Sequence, residues 1–359
     1  MRYDRPLRAL PRRSLAASAL LAAALLTPHA GAQDRAPSGN GPGFDTHLFR
    51  PAVDSKGFFT VNGVDTLGSG NLSFGLVTDY AHNLLRQASG SDPKALVTHS
   101  FQGTFNLNVG LWNRLVLGVH VPLDLMGGDA TGPIGPANAK YESASLDAQK
   151  VGFVAPHLKL NLLNSRQPIG LALVVQAGIP TGTALARSLG ADSKFWYWPH
   201  VVVEKTLGNR AVRLGLDVGY RGTSPDGTTR FDGLKSGTFV SDKSLITGGF
   251  GVAVRALDKI EFVGETYLAR QTSGKSSSKL AHSQEVVGGL KIFVEKNSHL
   301  MIGGGVRLGD GYMAADQRVF LGFIFEPSIT DRDGDGIPDE QDQCPDAPED
   351  RDGFQDDDG

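Results

Sequence analysis

The chain has 359 residues, of which 40% are hydrophobic and 46 are glycine. This apolar fraction is low for a water-soluble α/β enzyme of this length and is typical of a β-protein with many turns. The net charge of −3 conceals a local imbalance, because residues 331–359 carry −11 and the remaining residues +8. Such local acidity indicates bound metal ions and argues against a nucleic-acid partner.

Residues 1–32 have the three-part pattern of a secretory signal peptide. Five arginines within the first 13 residues precede the apolar run Leu15–Leu26, and Ala30-Gly31-Ala32 fits the small-x-small cleavage rule. Cleavage is expected after Ala32. The remaining chain contains no uninterrupted apolar run long enough to cross a bilayer as a helix.

Residues 33–66 are rich in proline and glycine at first and then carry an apolar patch at Phe58 and Phe59. We interpret them as an N-terminal lead that packs in part against the body of the protein. Residues 67–326 show apolar and polar residues alternating with period two, which is typical of β-strands with two different faces. The predicted strands are 70–80, 97–112, 114–124, 150–163, 169–180, 197–208, 210–221, 244–256, 258–270, 284–296, 298–309 and 316–326.

The connections between the predicted strands alternate between short and long. Asn113-Arg114 is a tight turn, whereas the polar connections that begin at Gly127 and Gly222 have 21 and 22 residues. Tight turns at one end and long loops at the other are typical of outer-membrane barrels. The pattern predicts an all-β fold, an antiparallel transmembrane β-barrel of about 12 strands in contact with outer-membrane lipid. A soluble β-sandwich is the alternative.

Aromatic residues cluster where the barrel is expected to meet the membrane surface. Trp196, Tyr197 and Trp198 begin one predicted strand, and Trp112 lies at a short turn. Tryptophan and tyrosine are enriched at membrane interfaces because they combine an apolar ring with a polar group. We expect these four residues to belong to interfacial girdles.

Charges of both signs fall on the predicted inner face. They are Asp79, Asp124, Lys159, Glu204, Arg213, Asp217, Arg221, Arg255, Glu261, Glu265, Lys291 and Arg307. Two arrangements are compatible with them. In the first, the charges pair and fill the lumen, since unpaired buried charges are costly. In the second, they line a narrow water-filled pore. We favour the filled lumen.

Three histidines also fall near inner-face positions: His120, His157 and His200. They could form a metal or catalytic site, or they could be hydrogen-bonded structural groups. We favour the structural role, because single histidines on a polar inner face are more often hydrogen-bonded structural groups. The sequence also contains no phosphate-binding loop, nucleophile elbow, HExxH or CxxC motif. The chain is therefore predicted not to be an enzyme.

The acidic tail, residues 327–359, has the spacing of a calcium loop. Asp331, Asp333 and Asp335 take positions 1, 3 and 5 of a twelve-residue loop, with glycine at position 6. Oxygen donors at this spacing can surround an ion that needs six to eight ligands. The predicted calcium ligands are Asp331, Asp333, Asp335, the carbonyl of Ile337, Asp339 and Asp342, with a looser second set of Asp350, Asp352, Asp356 and Asp358. A disordered acidic linker is the alternative.

This tail, with DxDxDGIPDxxDxCPD followed by PEDRDGFQDDDG, resembles the thrombospondin type 3 repeat. Together with the signal peptide and the barrel, the chain resembles OmpA-like outer-membrane proteins, although a C-terminal peptidoglycan-binding domain is absent from these residues. The resemblance implies a periplasmic tail that leads to the cell wall, and a partner for Cys344 in a following repeat.

Three functions are consistent with the sequence. We favour an outer-membrane structural barrel with a calcium-stiffened periplasmic spacer that reaches peptidoglycan through the absent domain. The alternatives are a passive pore for small solutes and a secreted calcium-dependent adhesin.

Overall fold

A computed structural model describes residues 43–86, 95–128, 149–165, 167–208, 211–223, 229–234, 237–241, 244–272, 279–327 and 343–344. The predicted signal peptide, residues 33–42 of the lead and all the predicted calcium ligands lie outside these residues. Cys344 is described and is exposed. No helix in the described ranges has the length and apolar character needed to cross a bilayer.

The described residues form fifteen β-strands and one short helix. The strands are β1 (Leu72–Arg86), β2 (Ala95–Leu111), β3 (Leu115–Gly127), β4 (Lys150–Val151), β5 (Phe153–Leu163), β6 (Gly170–Pro180), β7 (Trp196–Leu207), β8 (Val212–Thr223), β9 (Thr229–Leu234), β10 (Gly237–Ser241), β11 (Leu245–Leu257), β12 (Ile260–Gln271), β13 (His282–Phe293), β14 (His299–Arg307) and β15 (Gln317–Phe325). Helix α1 (Ala184–Arg187) lies between β6 and β7.

The long strands close into an antiparallel barrel. Apart from β4, β9 and β10, the described strands pair with their neighbours in chain order, and β1 also pairs with β15. Phe74 stands opposite Phe325, and His82 opposite Gln317, at the two ends of that closing pair. The prediction of a 12-stranded antiparallel barrel is therefore confirmed. The separate hairpin β9–β10, within the connection from β8 to β11, was not predicted.

The apolar face of the barrel points outward. Leu76, Leu321 and Ile302 lie at mid-strand positions with exposed fractions of 47%, 55% and 52%. The intervening polar positions, such as Asp79 and Gln102, are buried in the lumen. This distribution is inverted relative to a water-soluble β-protein and suits a lipid environment. The soluble sandwich is thereby excluded.

The two ends of the barrel differ as predicted. The connections 112–114, 164–169, 208–211, 258–259 and 294–298 are short and lie at the end we call the short-turn end. The connections from β1 to β2, β3 to β4, β6 to β7, β8 to β11, β12 to β13 and β14 to β15 are longer and lie at the opposite, loop end. β1 begins and β15 ends at the short-turn end.

The predicted aromatic girdle is only partly correct. Trp112 and Tyr197 are exposed, at 75% and 45%, as an interfacial girdle requires. Trp196 is instead 2% exposed and packs inside the barrel beneath the guanidinium of Arg221, with 4.5 Å between Cζ and the ring centroid. Trp198 shares its face, because residues two apart on a strand point to the same side.

Replacing Leu321 by Arg should destabilise the barrel by about 2–4 kcal/mol, because this outward position lies midway along β15, where lipid cannot solvate a charge. Urea unfolding of the protein folded in lipid vesicles measures the change. Gln317→Arg, on the same strand at the loop-end rim, is the matched control and should have a much smaller effect. Equal effects of the two substitutions would contradict the assignment of the lipid-facing surface.

Candidate functional site

The lead occupies the lumen of the barrel, where it forms a plug that we define as residues 43–67. It begins at the loop end, where Gly43 has a φ of +68° and leaves no space for a side chain beside the carbonyl of Ala186. It then descends to the short-turn end, where Ser55 and Lys56 both donate to Glu326 of the chain after β15. The sequence predicts a lead that packs partly against the body, but not its position inside the barrel.

The plug then folds back on itself before it joins β1. The amide of Ala52 donates to the carbonyl of Phe59 at 2.9 Å, and the amide of Phe58 donates to the carbonyl of Val61 at 2.8 Å. The chain returns to the short-turn end at Asp65, which accepts two hydrogen bonds from Ser165. The plug is thus a compact, irregular hairpin with its own backbone contacts.

Aromatic side chains anchor the plug to the wall. Phe49 and Phe59 lie 5.0 Å and 4.6 Å from the ring of Phe320 on β15. Phe58 fills the space above Gly215, where a β-carbon would lie 2.4 Å from its ring. These three phenylalanines, like Phe44 of the plug, are at most 1% exposed. Their burial stabilises the plug against the wall.

A second apolar contact lies toward the short-turn end. Val53 and Val64 of the plug pack with three inward-facing residues of β6 and β7, Ala172, Val174 and Val202. All five are at most 4% exposed. The inner faces of β6 and β7 are therefore apolar where the plug touches them.

Wall carboxylates accept hydrogen bonds from the backbone of the plug. Glu265 accepts from the amides of Phe59 and Thr60, the latter at 2.9 Å, and from the Thr60 hydroxyl at 2.7 Å. Glu204 accepts from the amide of Val64 at 3.1 Å, and Asp217 accepts from the Asn62 side chain at 2.7 Å. These contacts satisfy donors that an irregular buried segment would otherwise leave unpaired.

Wall cations bind acceptors of the plug. Lys159 donates to the Asp54 carboxylate at 2.8 Å and is fully buried. Lys291 donates to the carbonyl of Gly57 at 2.6 Å, and Arg213 donates to the carbonyl of Lys56 at 2.7 Å. Both signs of wall charge therefore hold the plug.

A buried network ties the plug to the loop end. Arg318 binds Asp79, which also accepts a hydrogen bond from His47 of the plug at 3.1 Å if that nitrogen carries the proton. The same guanidinium donates to Glu285 at 2.8 and 3.0 Å, and the hydroxyl of Tyr267 donates to Glu285 at 2.6 Å. Glu285 and Arg318 were missing from the predicted inner-face charges, although both occupy inward positions of the alternation.

The remaining predicted charges also lie on the inner face. Arg255 and Arg307 are partly exposed, with side-chain exposures of 32% and 11%. Arg213 pairs with Glu204 at 2.8 Å, and Arg255 pairs with Glu261 at 3.3 Å. The prediction of a filled lumen with paired charges is confirmed, but a separate segment supplies much of the filling.

The three candidate histidines are buried and hydrogen-bonded. His157 lies 2.7 Å from the Asn108 amide oxygen, His120 lies 3.3 Å from the carbonyl of Val53, and His200 lies 2.8 Å from Asp217. The described residues contain no group of three or more histidine, cysteine, aspartate or glutamate residues that could hold a metal ion. This arrangement supports the structural role.

Connections from the loop end also fold into the mouth. Leu185 and Leu189 of the β6–β7 connection, and Tyr312 and Met313 of the β14–β15 connection, are at most 3% exposed. Tyr312 packs edge-on against Phe44 of the plug at 5.6 Å. A cavity of about 60 Å³ remains between plug and wall, bordered by Arg50, Trp198, His200 and Thr247 among others. It has room for only a few water molecules.

At its outer end the plug depends on Asp45, which binds Arg50 and accepts from Arg221 at 3.0 Å. Burial alone raises the pKa of Asp45, but the charges of Arg50 and Arg221 hold it below its usual 3.8. A lowered pKa means that ionised Asp45 stabilises the bound plug above pH 3.8 and loses this contribution as the pH falls through the lowered value.

Hydrogen-exchange protection of residues 43–50 should therefore be constant from about pH 5 to pH 7 and decrease below about pH 4. In Asp45→Asn, protection should already be weak at pH 7 and depend less on pH. Asp258→Asn, at an exposed short turn, is the control for a general effect of removing a carboxylate. Unchanged protection in Asp45→Asn would refute this role for Asp45.

Comparison with solved structures places this architecture among outer-membrane proteins. An outer membrane channel from Pseudomonas putida F1 superposes with a TM-score of 0.52 over 74% of this chain and 98% of that chain, at 13% identity. The chain has the fold of an outer-membrane channel. The NanC porin matches with a TM-score of 0.43 at 9% identity, over 70% of this chain and 99% of that chain. The CymD monoaromatic hydrocarbon channel also has a TM-score of 0.43, at 8% identity, over 77% of this chain and 97% of that chain.

At the level of sequence, no protein-family model matches the chain, and no curated protein matches it. The structural likeness shows the fold alone, at identities this low. The OmpA-like resemblance and the thrombospondin-type tail receive no support from these comparisons.

Proposed function

We propose that the protein is an outer-membrane channel for small solutes in which the plug controls passage through the lumen. The observation that carries this proposal is a separate segment, residues 43–67, held inside a channel-type barrel by non-covalent contacts. The passive pore was the alternative in the sequence analysis, and the fold supports it better than the structural spacer. A channel also agrees with the prediction of a non-enzymatic protein.

The lumen that the plug occupies is of a size and polarity suited to solutes. Twelve strands lie between the eight-stranded barrels filled by side chains and the sixteen-stranded porins with aqueous channels. Displacement of the plug would expose Lys159, Lys291 and Glu265, which bind plug atoms in the closed arrangement. Charged groups of both signs would then line a water-filled passage.

Passage requires movement of the plug, because Phe49, Phe58 and Phe59 are at most 1% exposed where they pack against the wall. The plug is covalently continuous with the wall only where it joins β1. Its other contacts are hydrogen bonds, ion pairs and apolar packing, which can break and reform. The plug can therefore move without rupture of the ring of strands.

A reversible disulfide between plug and wall tests the proposal. A β-carbon at Gly249 would lie 2.8 Å from Cγ2 of Val61, close to the separation between a β-carbon and the sulfur of its disulfide partner. The variant carries Val61→Cys and Gly249→Cys with Cys344→Ser, which replaces the single natural cysteine. Each single cysteine variant in the same background is a matched control.

Single-channel conductance in planar bilayers is the measurement. The oxidised double variant should be silent, and a reducing agent should restore the conductance of the single variants. A folded wild-type protein that never conducts would reject the channel. An oxidised double variant that conducts as well as its reduced form would keep the channel and reject the plug as its gate.

We further propose, on spacing alone, that the tail binds calcium as a thrombospondin type 3-like periplasmic spacer. Its placement follows from β15, which ends at the short-turn end, the periplasmic side of such barrels. A connection to peptidoglycan would need a peptidoglycan-binding domain beyond residues 327–359. Calorimetric titration of the whole chain with calcium should show binding that Asp333→Asn with Asp335→Asn abolishes and Asp258→Asn retains. Equal binding by all three proteins would reject these ligands.

A further inference from the structure

Two histidines form a cross-strand pair on the outside of the barrel. His82 on β1 and His99 on β2 are directly opposite each other, with ring centroids 5.5 Å apart. Both lie on the outward face, where His99 is exposed and His82 is half-buried. Neither contributes to the lumen contacts described above.

The pair stands at the loop-end rim. His82 is the last residue of β1 that pairs with β15, and His99 is the first residue of β2 that pairs with β3. Tyr80 lies one row closer to the membrane centre, where an aromatic girdle residue belongs. Water can therefore reach the imidazoles beside the headgroups of the outer leaflet.

We propose that His82 and His99 form a binding site for a divalent transition metal ion, of the class of Cu²⁺, Ni²⁺ or Zn²⁺. Imidazole nitrogens bind such ions at about 2.0–2.1 Å, which places the centroids of two rings on one ion roughly 4.5–6.4 Å apart, depending on the angle between the two bonds. The observed 5.5 Å falls in this range. Water molecules complete the coordination, since the described residues offer no third ligand of the usual kinds here.

Tyr80 supplies an orienting contact of the kind found at metal sites. Its hydroxyl lies 2.6 Å from Nδ1 of His99. When Nδ1 carries the proton and donates it to this oxygen, Nε2 is left as the metal ligand. The hydrogen bond also fixes the plane of the ring, which lowers the cost of binding.

The site lies where β1 and β2 extend beyond the ring of strands. Beyond His82 and His99, β1 and β2 pair only with each other, and Leu84, Leu96 and Val97 of this extension are fully buried. Asn83 and Leu85 have positive φ angles of 56° and 51°, where this extension leaves the ring. A bound ion would join the two strands where the extension begins.

Copper binding to the detergent-folded full chain, followed by electron paramagnetic resonance, tests the proposal. Hyperfine coupling to two nitrogens distinguishes this site from carboxylates of the acidic tail. His82→Ala and His99→Ala should each weaken binding at least tenfold, and Tyr80→Phe should weaken it about tenfold. His282→Ala, an outward rim histidine opposite Arg270, is the matched control and should leave the signal unchanged.

A second measurement compares the unfolding temperature with and without the metal ion. Saturating Cu²⁺ should raise the unfolding temperature of the wild type, because the ion binds the native pair of strands, and should not raise that of His82→Ala. Copper binding that survives in both His82→Ala and His99→Ala would overturn the proposal. So would a loss of the signal in His282→Ala equal to that in His82→Ala. None of these outcomes depends on whether the barrel conducts.

Discussion

Glu265→Gln should release the plug and raise the open probability of the channel by roughly a hundredfold. The two carboxylate oxygens of Glu265 accept separately from the amides of Phe59 and Thr60. The glutamine side chain of the variant has only one acceptor oxygen. Its NH₂ group, a donor, would therefore face one of these two backbone N–H donors. Loss of charge-assisted hydrogen bonds in a buried site costs about 3 kcal/mol, which corresponds to roughly a hundredfold in an equilibrium.

The matched control is Glu261→Gln, four residues earlier on the same face of β12. Glu261 pairs with Arg255 and lies 4.0 Å from Arg213, both residues of the wall. Single-channel recording measures open probability, and hydrogen exchange of residues 57–62 measures plug release. An increase in both quantities for Glu265→Gln, and in neither for Glu261→Gln, is the expected result. Equal behaviour of the two variants would show that Glu265 does not hold the plug.

Arg318→Met should lower the stability of the whole barrel by about 3–5 kcal/mol, the cost of removing one partner from a buried ion pair. The substitution leaves Asp79 and Glu285 without the cation that both bind, although His47 and Tyr267 remain next to them. Because β1, β13 and β15 meet at this network, the effect should extend to the closing pair of strands.

Arg270→Met, an exposed outward position at the rim, should change stability by less than about 0.5 kcal/mol. Urea unfolding in lipid vesicles compares the two variants with the wild type. The temperature at which the folded barrel loses its anomalous gel mobility gives an independent ranking. A stability of Arg318→Met equal to that of Arg270→Met would mean that the buried network contributes nothing.

The ring of strands could be predicted because each strand has two chemically different surroundings. Lipid requires apolar residues at every second position, so strands such as β15 carry a strict period of two. Boundaries at the loop end were less predictable. β1 is predicted to end near residue 80 but extends to Arg86. Its last residues pair only with β2 and lie beyond the ring of strands, so they do not follow the alternation that lipid imposes. Helix α1 and the hairpin β9–β10 lie in connections without a periodic pattern.

The plug could not be predicted from periodicity, because an irregular segment satisfies its backbone through distant side chains. Glu265, for example, is 206 residues from Phe59. One signal was nevertheless present in β6, where the run from Leu171 to Val175 is apolar on both faces. An outward face meets lipid, so an apolar inward face indicates an apolar partner in the lumen, and Val53 and Val64 are that partner.

The position of the plug imposes an order on assembly. The plug is synthesised and exported before every strand that holds it, and the partners of Ser55 and Thr60 lie 271 and 205 residues later in the chain. Until β15 is in place, Phe49 and Phe59 lack the ring of Phe320 that both contact in the folded barrel. The addition of β15 both closes the ring and brings Phe320 and Glu326 to the plug. A nascent barrel that stops before residue 317 therefore has an open seam and a loose plug together.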